Sequence, residues 1–117
     1  MRLLICGSRS WQDGDSIRDK LLELRPTLVI HGHHWSGADF IADAICHELG
    51  IPVLPFPARW RDAGRAAGPL RNQRMIDEGK PDQVLAFHSL KKSRGTADLI
   101  RRATKAGIPT KIVWAKR

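Results

Sequence analysis

Short apolar runs punctuate the chain at Leu3–Cys6, Leu28–Ile30, Ile51–Leu54, Val84–Phe87 and Lys111–Trp114. Most do not alternate with polar residues, which predicts strands covered on both faces rather than half-exposed ones. Between them the period changes. Ala38, Ile41, Ala42, Ile45, Cys46 and Leu49 recur at three- and four-residue spacing until Gly50, predicting a helix with one face in the core. Ile17, Leu21 and Leu24 predict a second helix over 15–24, closed by Pro26. A third is expected over Pro69–Glu78, with proline in its first turn and Gly79 as its stop. The last, about Thr96–Ala106, presents Leu99, Ala103 and Ala106 on one side and ends at Gly107.

Gly50-Ile51-Pro52 and Gly107-Ile108-Pro109 each follow a predicted helix and precede a predicted strand. Glycine at the helix end followed by proline is shared stop chemistry, not a sign of duplication. Strands and helices alternate throughout, and parallel strands joined by right-handed crossovers carry helices on both faces. The expected fold is therefore α/β: a small Rossmann-like three-layer domain over residues 1–117, with a mostly parallel five-stranded sheet. In such sheets ligands sit beyond the carboxyl ends of the strands, where the strand order reverses.

The length of 117 residues allows one domain and no second stable core. Cys6 and Cys46 both lie in apolar runs, and no stretch resembles a signal peptide or a membrane span, so a reduced cytoplasmic protein with no membrane partner is expected. Charge adds something the apolar pattern does not. Residues 1–58 carry 5 Lys+Arg and 7 Asp+Glu, whereas 59–117 carry 15 and 5, so the formal net charge of +8 belongs to the second half. That half suits a phosphorylated or polyanionic partner.

The loops after the strands carry the candidate chemistry. After the first, Gly7 lets backbone approach a ligand, while Ser8 and Arg9 offer donors. After the second, Gly32 and Gly37 have P-loop spacing, but Ala38-Asp39 stands where a P-loop requires Lys-Ser/Thr, which argues against Walker-type hydrolysis. Gly37 would open a helix whose N–H groups suit an anion, and Asp39 would accept a ribose hydroxyl or serve the helix dipole. His31, His33 and His34 lack the convergent partners zinc needs, and neither a metal nor a cofactor is expected. The long connection from Arg59 holds several arginines and leads to Arg71 and Asn72, expected in a first helical turn, with Arg74 beyond. After the fourth strand, Lys91, Lys92 and Arg94 precede Gly95 and Thr96, donors for phosphate at a helix start; Asp98 could meet a sugar hydroxyl or act as a base.

Taken in order, Gly7-Ser8-Arg9-x-Trp11, His31-Gly32-x4-Gly37-Ala38-Asp39, Trp60 followed by Gly68-Pro69-x-Arg71-Asn72-x-x-Met75, and Arg94-Gly95-Thr96-Ala97-Asp98 resemble the SLOG superfamily, in its small YspA/cpYpsA-related branch found in bacterial and phage genomes. The resemblance covers nearly the whole chain. It implies a Rossmann-like domain that senses or processes nucleotide-derived ligands, with Gly7, Arg9, Gly37, Asp39, Arg71, Asn72, Gly95, Thr96 and Asp98 facing the ligand. Two similar groups suggest further functions. LOG-type phosphoribohydrolases cleave nucleoside monophosphates at the N-glycosidic bond, using an arginine and a glutamate in a Pro-Gly-Gly-x-Gly-Thr-x-x-Glu loop. Here Leu99 stands three residues after Thr96, so Asp98 becomes the candidate carboxylate, with Arg71 or Arg74 holding phosphate. The DNA-processing protein A binds single-stranded DNA through a similar series; Trp11, Trp35 and Trp60 would be the stacking aromatics here. The expected partner is a nucleotide-like small molecule, with single-stranded nucleic acid as the alternative and a homodimer as a candidate assembly.

Overall fold

A computed structural model describes residues 1–34, 36–88 and 93–115. Trp35, Lys91 and Lys92 lie outside these residues. The elements follow in the order β1 (Arg2–Gly7), α1 (Gly14–Leu24), β2 (Leu28–His31), α2 (Gly37–Leu49), β3 (Val53–Pro55), α3 (Trp60–Ala63), a 3-10 turn (Gly64–Ala66), α4 (Ala67–Asp77), β4 (Gln83–His88), α5 (Arg94–Lys105) and β5 (Thr110–Trp114). The five strands form one sheet in the order β3-β2-β1-β4-β5, and every pairing is parallel.

Alternation along β1 sorts the core into two layers. Leu3 and Ile5 face α1 and α2, meeting Ile17, Leu21, Ala42 and Ile45. Leu4 and Cys6 face α4 and α5, meeting Met75, Ile76, Leu99 and Ala103. All of these are buried, which accounts for the unalternating apolar runs: a strand sandwiched between helices has no solvent face to keep polar. The two Gly-Ile-Pro stops share one conformation, with Gly50 at φ 72° and Gly107 at φ 76°, in the left-handed region that glycine adopts at least cost. The N–H groups of Ile51 and Ile108 then donate to Cys46 and Ala103 carbonyls. Because Ile51 is spent in this way, β3 begins at Val53 rather than Ile51.

Two helices start earlier than the sequence pattern predicts. In α4, Ala67 and Gly68 are helical before Pro69, whose missing N–H costs nothing in a first turn; Arg71 and Asn72 consequently lie a turn deeper. In α5, Ser93 rather than Thr96 is the cap, its Oγ accepting from Thr96 N at 3.3 Å. The connection from Arg59 also contains α3 and the 3-10 turn, neither of which has a buried residue to give it a periodic signature.

The chain runs outward from β1 through β2 to β3, then crosses back to place β4 on the other side of β1. The loops leaving β1 and β4 therefore diverge, opening a crevice at the carboxyl edge of the sheet.

Candidate functional site

The crevice is built on two close backbone approaches. Gly7 pairs with Phe87 at the end of β1, and a Cβ there would overlap Phe87 O and lie 2.7 Å from Ala38 Cβ. Gly37, at φ 72°, lies against Ser8 O and Arg9 Cα, leaving no room for a side chain. Ser8 O accepts from Trp11 N at 3.2 Å and Ala38 N at 3.1 Å. One first-turn donor of α2 is thus engaged by the chain itself. Ser8 Oγ pairs with Ser10 Oγ at 2.8 Å, which orders the turn instead of facing the crevice.

From the other side, α4 sends Arg71 across to the loop after β2. Its Nη1 donates to Gly32 O at 2.5 Å and its Nε to Asn72 Oδ1 at 3.1 Å. Asn72 is 3% exposed, and its amide donates to Gly95 O and to Asp98 Oδ2, each at 3.1 Å. Asp98 also accepts from Arg102 Nε at 2.8 Å and Arg101 Nη2 at 3.3 Å. A continuous hydrogen-bonded chain therefore joins the β2 loop, α4 and the first turn of α5. It fixes the Arg71 guanidinium by two of its donor positions, leaving others to meet a ligand.

Between these elements is a cavity of about 60 Å³ whose walls include Arg9, Gly32, Asp39, Arg71, Gly95 and Thr96. Its charges are unusual for a covered place. Burial pushes the Asp39 carboxyl above the usual range, although His31, Arg71 and the His34 N–H, which it accepts at 3.4 Å, all pull the other way. Burial likewise lowers the pKa of Arg71; Asp39 opposes this and the Arg9 charge adds to it. Cys6 also lines the cavity, but burial, with Asp39 adding to it, pushes its thiol far up, so it stands there as a neutral wall and not a nucleophile. Two guanidinium groups and the positive end of α5 thus face one carboxylate. An anion placed among them would relieve the Arg9–Arg71 repulsion.

Of the residues singled out from sequence, Gly7, Arg9, Gly32, Asp39, Arg71, Asn72, Gly95 and Thr96 are brought together around this cavity. Gly37 supports it from beneath. Asp98 lies behind Asn72, in the groove lined by Gln73, Arg101, Arg102 and Lys105. Burial alone would raise its pKa, but hydrogen bonds from Arg102 and Asn72 and the nearby arginine charges outweigh that and hold it below the usual range. Arg74 pairs with Glu78 at 2.9 Å and lies 5.4 Å over the Phe56 ring. Arg94 is exposed at the start of α5. His34, considered above only for metal, and Ser93 join the cavity wall without having been expected there, because a histidine among three and a lone cap serine carry no distinguishing spacing. His31, read above for metal, is buried at the end of β2, where its Nε2 meets Asp43 Oδ1 at 2.8 Å and its Nδ1 accepts from His33 N. Among the described residues no group of three or more His, Cys, Asp or Glu is placed to hold a metal ion, and no helix is long and apolar enough to cross a membrane.

The model of the YspA, cpYpsA-related SLOG family matches residues 1–62. Gene 61 protein of Mycobacterium phage D29 is 42% identical over 118 residues, an alignment covering 92% of each chain.

Proposed function

Because the chain belongs to the YspA, cpYpsA-related SLOG family, we propose that it binds a phosphorylated, nucleotide-derived ligand at the carboxyl edge of its sheet, as a sensor or processing domain. The observation that carries this reading is the convergence of Arg9, Arg71 and the α5 N-terminus on one small cavity with Asp39 in its wall. A volume of about 60 Å³ suits a phosphoryl group and little more, being far below the several hundred Å³ of a whole-ligand pocket. The phosphate meets Arg71 and the first-turn N–H of Gly95 at the start of α5. Sugar hydroxyls donate to Asp39, the one carboxylate among the cavity residues.

A thermal-shift panel of mononucleotides, cyclic nucleotides, NAD, ADP-ribose and inorganic phosphate tests the reading, since a ligand of the native state raises the melting temperature. At least one nucleotide should raise it, and Arg71→Ala, checked for fold by circular dichroism, should lose the response. A folded Arg71→Ala protein with unchanged affinity would remove the placement.

Hydrolysis of a nucleoside monophosphate to base and ribose phosphate is the second reading, and Asp39 is the observation that favours it. A carboxyl whose pKa burial raises, beside an arginine, has the character of a group that transfers a proton to a leaving base. Asp98 draws less support for that role, because both its oxygens are committed to Asn72, Arg101 and Arg102. Release of free base, lost in Asp39→Asn while Asp98→Asn retains it, is the expected result; no release from any nucleotide would sink this reading.

A further inference from the structure

The cavity that suits a phosphoryl group leaves the base of a nucleotide unplaced. A second cavity, of about 330 Å³, lies between the connection after β3 and the exposed side of α4. Pro57, Ala63, Ala67 and Leu70 give it apolar walls, and Arg71 lines it as well as the first. Arg71 is thus common to the walls of both. We infer that this second cavity seats the planar base of the ligand whose phosphate occupies the first, with Arg71 between them.

Size, wall chemistry and continuity each point the same way. The volume falls in the range of pockets for small organic ligands, whereas a phosphate or a bare sugar would leave it mostly water. Leu70 is 55% exposed, an apolar side chain held at the cavity wall without protein to cover it. Arg74, also in the wall, pairs with Glu78 and lies over the Phe56 ring, and its planar guanidinium is suited to stacking. Asp62 and Gln73 supply rim groups for hydrogen bonds to ring edges. Arg71 donates to Gly32 and Asn72, which holds it in place between the two cavities.

This inference rests on the phosphate placement above, and the test separates the two. Binding of ribose 5-phosphate and of a purine nucleoside monophosphate is measured calorimetrically on the wild-type chain and on Ala63→Phe, which fills the second cavity from a partly exposed position. The wild type should hold the nucleotide at least about tenfold tighter than ribose 5-phosphate, a gain in keeping with burying one face of an aromatic ring. Ala63→Phe should erase that gain and leave ribose 5-phosphate unaffected. Leu70→Ala, at a side chain whose loss the fold tolerates, should weaken only the nucleotide, by about threefold. Equal wild-type affinities for the two compounds, or full nucleotide affinity in Ala63→Phe, would overturn the base seat while sparing the phosphate site. Failure of both compounds to bind the wild type would overturn the phosphate site, and the base seat with it.

Discussion

Single atoms at the glycines separate the groups that hold the fold from those that meet a ligand. A methyl at Gly7 would run into the Phe87 carbonyl, backbone of β4 held between β1 and β5 that cannot yield; Gly7→Ala should therefore destabilise by about 2–4 kcal/mol in denaturant unfolding. At Gly32 the added Cβ would lie 2.5 Å from Arg71 Nη1 and 2.8 Å from its Cζ, a side-chain end that can swing away. Gly32→Ala should cost less than about 1.5 kcal/mol of stability yet weaken the phosphorylated ligand at least about tenfold, because it displaces the arginine. Among the described residues nothing lies within 4 Å of the Gly95 Cβ position. Gly95→Ala should leave the fold as stable or raise it by about 0.5 kcal/mol, and any loss of ligand would then report direct approach to that backbone. The two aspartates should respond to pH in opposite senses. Asp39 has a raised pKa in the folded chain, so its ionisation opposes folding above the unfolded value and increasingly up through the folded one. Asp98 has a lowered pKa, so its contribution is present above the unfolded value and fades as pH falls through the folded one. At neutral pH Asp39→Asn should raise the melting temperature and Asp98→Asn should lower it, with both differences shrinking in acid; melting curves from pH 3 to 7 read this directly.

Elements differ in how much of themselves the sequence discloses, and the reason is burial. Helix α2 is legible because Ala38, Ala42, Ile45 and Cys46 are all buried, so its apolar stripe is complete. Helix α3 buries nothing and spans four residues, too few for any period to show. The first turn of α4 is hidden for a related reason: a proline marks a helix start only approximately, being tolerated at any first-turn position. The loops of the site could be found because glycines and arginines at strand ends need a reason to be there. Their mutual placement could not, since no local pattern states that β4 returns to the far side of β1. Nor does spacing distinguish Asp39 from Asp98: both lie early in a helix, but one enters the cavity and the other is claimed by Arg101 and Arg102. The cap of α5 is a case where a three-residue shift matters to the test. Ser93 Oγ accepts from Thr96 N at 3.3 Å and Thr96 Oγ1 at 3.1 Å, so Ser93→Ala should cost about 1 kcal/mol and loosen the turn proposed to face the ligand. Thr96→Val removes the hydroxyl but keeps the cap, and should cost less in hydrogen-exchange protection of that turn.

For the molecule as a whole, the +8 charge is spread in a way that allows two kinds of anion binding to be told apart. Arg71 is partly covered and hydrogen-bonded in the crevice, whereas Arg101 is exposed on the other side of the Asn72–Asp98 link, in a groove of about 600 Å³ that it shares with Arg102 and Lys105. Partly buried charges are screened less by salt than exposed ones, and a single-stranded oligonucleotide must neutralise several exposed charges at once. Affinity for a mononucleotide should therefore fall only modestly between about 50 and 200 mM salt, while any oligonucleotide affinity falls by at least about a hundredfold over the same range. Reversing charge at Arg101 and Lys105 together should reduce the oligonucleotide term at low salt and leave mononucleotide affinity within about twofold, because neither side chain borders the crevice. Fluorescence anisotropy with both probes reads the two slopes. Parallel slopes, or equal loss of both ligands in the double variant, would mean that one surface serves both and that the crevice is not a separate small-molecule site.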